Sequence, residues 1–294
     1  MLACIGPVPR VGGLRSVGLR CTALRWVIPL LLAAVWSGCA HRPPPLPGVS
    51  PSELPGAWLD ELAAAPCAPG LQARLRMRVD AEGEPAVRVD GTLAALLPDT
   101  LKVTARLGAF RPLFVLHARA DSAGLLFHED RAYWISARER IDWDRMNPSA
   151  WARALQWSLC PHALARDLSP AGPGRMEGRI WEVEGTVPAH HGTVRLHVDP
   201  RSRAIVGIDL LEEDLVARAR LRNYRFLGEF WIPTLIDLEV PQPDGRLELR
   251  VELHAPELRR KDDVVEVPML RPAGWVQVRP DRAPSIHVAP PPDR

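Results

Sequence analysis

Residues 71 to 79 read Leu-Gln-Ala-Arg-Leu-Arg-Met-Arg-Val, with an apolar side chain at every second position and a polar or charged one between. A period of two belongs to a pleated strand, whose successive side chains point to opposite faces, and a helix of 3.6 residues per turn would scatter it. Leu71, Ala73, Leu75, Met77 and Val79 therefore share one face, against Gln72, Arg74, Arg76, Arg78 and Asp80 on the other. Leu101, Val103, Ala105 and Leu107 repeat the pattern against Lys102, Thr104 and Arg106, and so do Leu247, Leu249, Val251 and Leu253 against Arg246, Glu248, Arg250 and Glu252. An apolar face backed by a charged one is the mark of an antiparallel sheet with one side packed and the other in water.

Turn signals separate these runs at short intervals: Glu82-Gly83-Glu84, Leu97-Pro98-Asp99, Asp121 to Gly124, Pro188 to Gly192, Asp199 to Arg203, Glu212 to Asp214 and Pro243-Asp244-Gly245. Strands so closely spaced form a meander of hairpins, because parallel neighbours need crossovers of about a dozen residues or more. Pro233 interrupts the apolar run from Phe230 to Val240, and a proline has no ladder donor, so that strand is expected to begin after it or to sit at an edge. Helical spacing occurs twice. Ser52 to Ala65 places Leu54, Trp58, Leu59 and Leu62 on one stripe, and Asn147-Pro148-Ser149 starts a helix carrying Trp151, Leu155 and Leu159, with Pro161 and Ser169 to Gly174 ending it.

The 294 residues hold 37 Lys and Arg against 35 Asp and Glu, a balance that excludes a strongly basic nucleic-acid binder. The charges are unevenly placed. Residues 1–38 contain Arg10, Arg15, Arg20 and Arg25 and no acidic residue, which leaves the remainder at a net charge of −2. Those arginines precede the apolar run Trp26 to Trp36, too short to cross a bilayer and suited to the core of an export signal. The Ser37-Gly38-Cys39 ending resembles a bacterial lipobox, which implies cleavage before Cys39 and lipid on its sulfur and amino group. Ala40 stands where Asp would signal inner-membrane retention, so the resemblance implies the outer membrane. Residues 39–57 read as a Pro-rich extended tether, 58–275 as one folded domain, and 276–294 as a Pro-rich disordered tail.

The order of strands and helices in 58 to 270 resembles the LolA/LolB family of periplasmic lipoprotein carriers and receptors, on its LolB-like side. The stretches that carry the likeness are Leu71 to Val79, Val89-Asp-Gly-Thr-Leu93, Leu101 to Gly108, Pro112 to Arg119, Arg131-Ala-Tyr-Trp-Ile135, Leu155-Gln-Trp-Ser-Leu159, Asn223-Tyr224 and Trp231-Ile-Pro-Thr-Leu235. The resemblance implies a mainly β fold, an antiparallel, strongly curved, incomplete β-barrel with a helical lid over an apolar cavity for acyl chains. Leu75, Met77 and Val103 would line that cavity, with Trp151 and Leu155 in the lid. The loop from Leu107 to Leu113 would carry a hydrophobic residue toward membrane or ligand, with Leu107 the best match, Phe110 the competing choice and Leu113 beside them; both can equally be core residues at a strand end. The implied protein is a monomeric, non-enzymatic lipoprotein of the outer membrane, facing the periplasm and binding acyl chains or lipoproteins in envelope biogenesis. The alternative is an envelope scaffold with a filled core that binds a protein partner.

Chemistry of other kinds finds no support. No nucleophile elbow, phosphate loop or dinucleotide fingerprint occurs, so neither an enzyme nor a cofactor is expected. His190-His191 and His197 lack Cys or carboxylate partners at ligand spacing, and read as a solvated turn rather than a metal site. In an oxidising compartment Cys67 and Cys160 suit a disulfide, although two buried thiols would look the same in sequence.

Overall fold

The computed structural model describes residues 55–83, 85–107, 111–119, 122–128, 130–137, 148–188, 190–212, 214–242, 245–260 and 272–277. The stretch read as an export signal, Cys39, most of the stretch read as a tether, Phe110 and residues 278–294 lie outside them, and Leu107 is placed by its backbone alone. Helix α1 (Pro55–Ala64) opens the domain and begins inside the stretch read as tether. Six strands follow: β1 (Gly70–Ala81), β2 (Val87–Leu96), β3 (Thr100–Leu107), β4 (Arg111–Ala118), β5 (Ser122–Phe127) and β6 (Ala132–Ala137). Helices α2 (Pro148–Leu159) and α3 (Pro161–Asp167) come next, then β7 (Ser169–Pro170), β8 (Arg175–Glu177), β9 (Ile180–Val187), β10 (His190–Asp199), β11 (Ala204–Leu211), β12 (Leu215–Leu227), β13 (Phe230–Gln242), β14 (Gly245–Leu258) and β15 (Val276–Gln277).

All strands join one sheet, in the order β15-β6-β5-β4-β3-β2-β1-β14-β13-β12-β11-β10-β9-β7, with β8 on β9. Two meanders, β1 to β6 and β9 to β14, are sewn together by the antiparallel β1–β14 ladder, and β15 alone pairs in parallel. The chain between β6 and β7 must pass from one edge of the sheet to the other, and it carries α2. That helix packs on β3, β4 and β5 and also, more heavily, on β11, β12 and β13. In a flat sheet β5 and β12 would stand about 34 Å apart, seven spacings of about 4.8 Å, whereas a helix is only about 10 Å across. The sheet therefore curls round α2. The outcome is an open antiparallel half-barrel with helices on its concave side, the fold class read from the sequence.

The strands obey the alternation that predicts them. Leu71, Ala73, Leu75 and Met77 are buried while Gln72, Arg74, Arg76 and Arg78 are exposed, and Leu247, Leu249, Val251 and Leu253 are buried likewise. Cys67 and Cys160 are bonded, with Cα atoms 5.7 Å apart, so the end of α1 is tied to the α2–α3 junction.

Two expectations need correction. β13 runs without a break through Pro233 and lies in the middle of the sheet. Its ladder with β14 spans Leu235 to Gln242 only, so the missing donor falls where that side has no ladder to serve. On the other side Pro233 faces Tyr224 next to Asn223, whose φ of 54° marks an irregularity in β12. The second correction concerns Pro161, which does end α2 but also begins α3, occupying the first turn where a missing N–H costs nothing.

Candidate functional site

From β6 to β9 the concave face is lined by one apolar cluster. Val89, Met77, Val251, Ile236 and Leu221 stand opposite one another across β2, β1, β14, β13 and β12, all buried. The structure gathers Leu75, Met77, Val103, Trp151 and Leu155 into one continuous cluster on this face, and half-buried Leu113 packs against it. Trp151 meets Phe114 edge to face at 6.4 Å, which seats the start of α2 on β4. At its other end Trp157 stands over His190 at 6.3 Å, with the Arg153 guanidinium 5.6 Å from the indole.

Residues 154 to 159 of α2 are buried on every side, as a helix enclosed by a sheet must be. Two of them are polar. The Ser158 hydroxyl donates to the Ala154 carbonyl at 2.6 Å and so is satisfied within the helix. Gln156, fully buried, has no hydrogen-bond partner among the described residues for either its amide nitrogen or its amide oxygen. An unpaired buried amide costs roughly 1–3 kcal/mol, which makes this residue the most anomalous point of the interior. The indole nitrogens of Trp58 and Trp181, whose rings pack edge to face at 5.8 Å, are also buried without partners among the described residues. Nothing in the sequence periodicity separates Gln156 from a surface glutamine, because its neighbours Leu155 and Trp157 fit a one-sided stripe as well.

The helices over the concave face are held by polar pins. His162 of α3 bonds the Leu62 carbonyl of α1 at 3.2 Å through Nδ1. Arg203, in the β10–β11 turn, pairs with Glu61 of α1. Burial lowers the His162 pKa, and the bond to Leu62 only partly opposes it, so the ring is held neutral.

On the convex face of β9 to β12 the register assembles a cluster that the spacing of these residues in the chain conceals. Glu182 is the direct cross-strand partner of His197, and Asp209 that of Arg218. His197 Nδ1 lies 3.0 Å from Glu182 Oε1 and its Nε2 lies 3.1 Å from Asp209 Oδ2, while Arg218 donates to both oxygens of Asp209 at 2.9 and 3.2 Å. Gly207, opposite His197, lets the ring lie across the strand, since a Cβ there would stand 3.0 Å from the imidazole. Burial pushes the Asp209 carboxyl up, but His197 and Arg218 outweigh it and hold its pKa at about 2. Neither His190 nor His197 lies in a solvated turn as their sequence suggests: both are strand residues and both are buried. Among the described residues no group of three or more His, Cys, Asp or Glu is placed to hold a metal ion.

Further along the convex face, Arg78, Arg218, Arg220, Arg222 and Arg250 alternate with Asp80, Asp237, Glu239 and Glu248 round a shallow groove of about 430 Å³. These charges pair along and across strands, as in Arg76–Asp90 at 3.3 Å and Arg78–Asp80 at 2.9 Å, both largely exposed. No helix among the described residues is long and apolar enough to cross a membrane.

No family model matches the chain, and no curated protein sequence matches it. Solved structures similar to it include a LolA superfamily protein from Nitrosomonas europaea, at 11% identity and a TM-score of 0.46, covering 71% of this chain and 95% of that one. A domain of a candidate outer membrane lipoprotein-sorting protein from Vibrio parahaemolyticus gives 11% identity, a TM-score of 0.47, and coverage of 74% and 97%. A DUF1329 family protein from Desulfovibrio piger gives 9% identity, 0.44, and coverage of 72% and 92%. Superpositions this loose carry nothing about what the chain binds.

Proposed function

We propose that the protein is a lipid-anchored, non-enzymatic component of a bacterial outer membrane, facing the periplasm, whose half-barrel holds acyl chains of lipoproteins or other envelope lipids during envelope biogenesis. The anchor is Cys39, the tether runs to α1, and the binding element is the concave face with α2 across it. One observation carries the reading: an apolar face curled round a helix that bears a fully buried, unpartnered amide at Gln156. Acyl chains need only apolar burial, worth about 25 cal/mol per Å², and their carboxyl or ester end needs one buried donor to fix it. Gln156 offers that donor. Residues 108–110 close β3 to β4 at one end of the sheet and, with Leu107 and Leu113 in the flanking strands, would form the mouth.

Lipid co-extracted with the purified protein, identified by mass spectrometry, tests this reading. Acyl-bearing species at near-stoichiometric amount are expected, and their absence together with indifference to a fluorescent fatty acid would defeat it. Cys39→Ser is expected to release the protein from the membrane fraction; unchanged partitioning argues against the anchor.

A second reading is an envelope scaffold with a filled core, acting on a protein partner. It is favoured by the complete burial of Leu75, Met77, Val103 and Leu155 within one packed cluster. A protein that purifies without lipid and cross-links to one partner through the 107–113 loop would establish it instead.

A further inference from the structure

At one end of the sheet the apolar character of the interior reaches the surface. β12 and β13 meet in the two-residue turn Gly228-Glu229, where Gly228 takes a φ of 63°, a conformation that glycine adopts without strain. Phe226 and Trp231 face each other directly across the hairpin, ring centroids 4.9 Å apart, and Leu227 faces Phe230. Leu258, at the end of β14, lies against the turn, since a Cβ at Gly228 would stand 3.4 Å from its Cδ1. Phe226 is 56% exposed and Leu258 38%, with Leu227, Phe230 and Trp231 half-buried. Arg225, the residue before Phe226 in β12, is exposed and has no ion pair among the described residues.

The position of this tip matters as much as its composition. Leu258 pairs with Leu71, and the Arg259 N–H donates to the Gly70 carbonyl at 3.0 Å, so the tip sits at the end of the sheet where α1 feeds β1. Residues 108–110 join β3 to β4 at the opposite end of the sheet, displaced along the strand direction by about 25 Å, the length of the eight residues of β3. The tether from Cys39 to Pro55 would span about 50 Å if extended, ample for the tip to meet the membrane that holds the anchor.

We propose that the β12–β13 hairpin tip docks on a phospholipid bilayer, with Phe226, Trp231 and Leu258 in the interfacial layer and Arg225 against lipid phosphate. Trp231, an apolar ring with a polar N–H, is of the type favoured at that depth, and Phe226 and Leu258 add apolar surface to bury there beside an arginine. A protein partner fits less well, because a stable interface needs roughly 800 Å² from each side and five mostly half-buried side chains offer a few hundred. The inference takes the membrane location from the proposed function and needs none of its acyl-chain binding.

The test uses the full chain with Cys4→Ser, Cys21→Ser and Cys39→Ser, leaving the Cys67–Cys160 disulfide intact. A thiol-reactive fluorophore is placed at Phe226→Cys, Phe110→Cys or Arg88→Cys, one position at a time. Each labelled protein is mixed with phosphatidylethanolamine and phosphatidylglycerol vesicles bearing brominated acyl chains. Vesicle binding through residues 26–36 would act on all three alike, so the ratio between positions is the readout. Quenching at position 226 is expected to exceed that at 88 and at 110 at least threefold, with a blue shift at 226 alone. Equal quenching, stronger quenching at 110, or none at any position overturns the inference. If Phe226→Cys lowers the melting temperature, Arg225→Cys takes its place with the same expectation. A chain that binds fatty acid but shows no preference at 226 defeats this inference only, and one quenched at 226 that ignores fatty acid defeats only the acyl-chain reading.

Discussion

The same five strands present two rows of side chains one residue apart, and the rows could hardly differ more. Facing inward, Val89, Met77, Val251, Ile236 and Leu221 form an unbroken apolar line. Facing outward, Arg88, Arg78, Arg250, Asp237 and Arg220 form a charged one, in which three arginines stand directly opposite one another. Like charges in that position are unfavourable by a few tenths of a kcal/mol each, and neighbouring Asp80 and Glu252 relieve them along the strands. The inner row is thus where stability and any apolar ligand reside, and the outer row keeps the convex face in water.

That contrast can be broken by mutation. Removing the disulfide that holds the helices over the inner face, by Cys67→Ser with Cys160→Ser, is expected to cost about 4 kcal/mol in urea unfolding, since it closes a loop of 93 residues. Leu75→Ala, on the inner face, is expected to cost about 3 kcal/mol by the same measurement. A loss under about 1 kcal/mol would mean that the interior is not packed as described.

Acid should act on the convex side in two steps. Burial first, then Lys102 and Arg119, hold the His117 pKa at about 4, below its ordinary 6.5, so the folded state disfavours the proton that the unfolded chain accepts. Stability from that residue is complete above pH 6.5 and falls away toward pH 4, by about 3 kcal/mol at most. Asp209, depressed from 3.8 to about 2, adds a second loss of about 2 kcal/mol as pH drops from about 4 through 2. His117→Gln should shrink the upper step, to which buried His162 and His190 also contribute, and leave the lower one; an unchanged pH profile would remove His117 from the account. The smallest effect is expected from Arg76→Ala, which breaks only the exposed Arg76–Asp90 pair and should change stability by no more than about 0.5 kcal/mol.

The inner and outer rows were legible in the sequence wherever alternation was strict, as in β1, β3 and β14, because burial on one face leaves a period of two that no other element produces. The start of α2 was legible for a similar local reason, Pro148 behind Asn147. Curvature was not, since it follows from β1 pairing with β14 across some 180 residues and from a helix that crosses between sheet edges. The Glu182–His197–Asp209–Arg218 cluster escaped notice because its members become neighbours only through register. Pro233 misled because the rule against proline in central strands concerns ladder donors, and at that position β13 has outrun its ladder with β14. Gln156 left no trace in the pattern, and only the enclosure of α2 gives it meaning.

Gln156 also gives the most direct measurement. Gln156→Leu replaces an unpartnered amide by an apolar side chain of similar size, and should leave the ligand-free protein as stable or more so. Titration with a fluorescent fatty acid should show saturable binding to the unmodified protein and binding at least tenfold weaker to Gln156→Leu. Equal affinity of the two proteins, or no saturable binding to either, would contradict an acyl ligand held on the concave face by this residue.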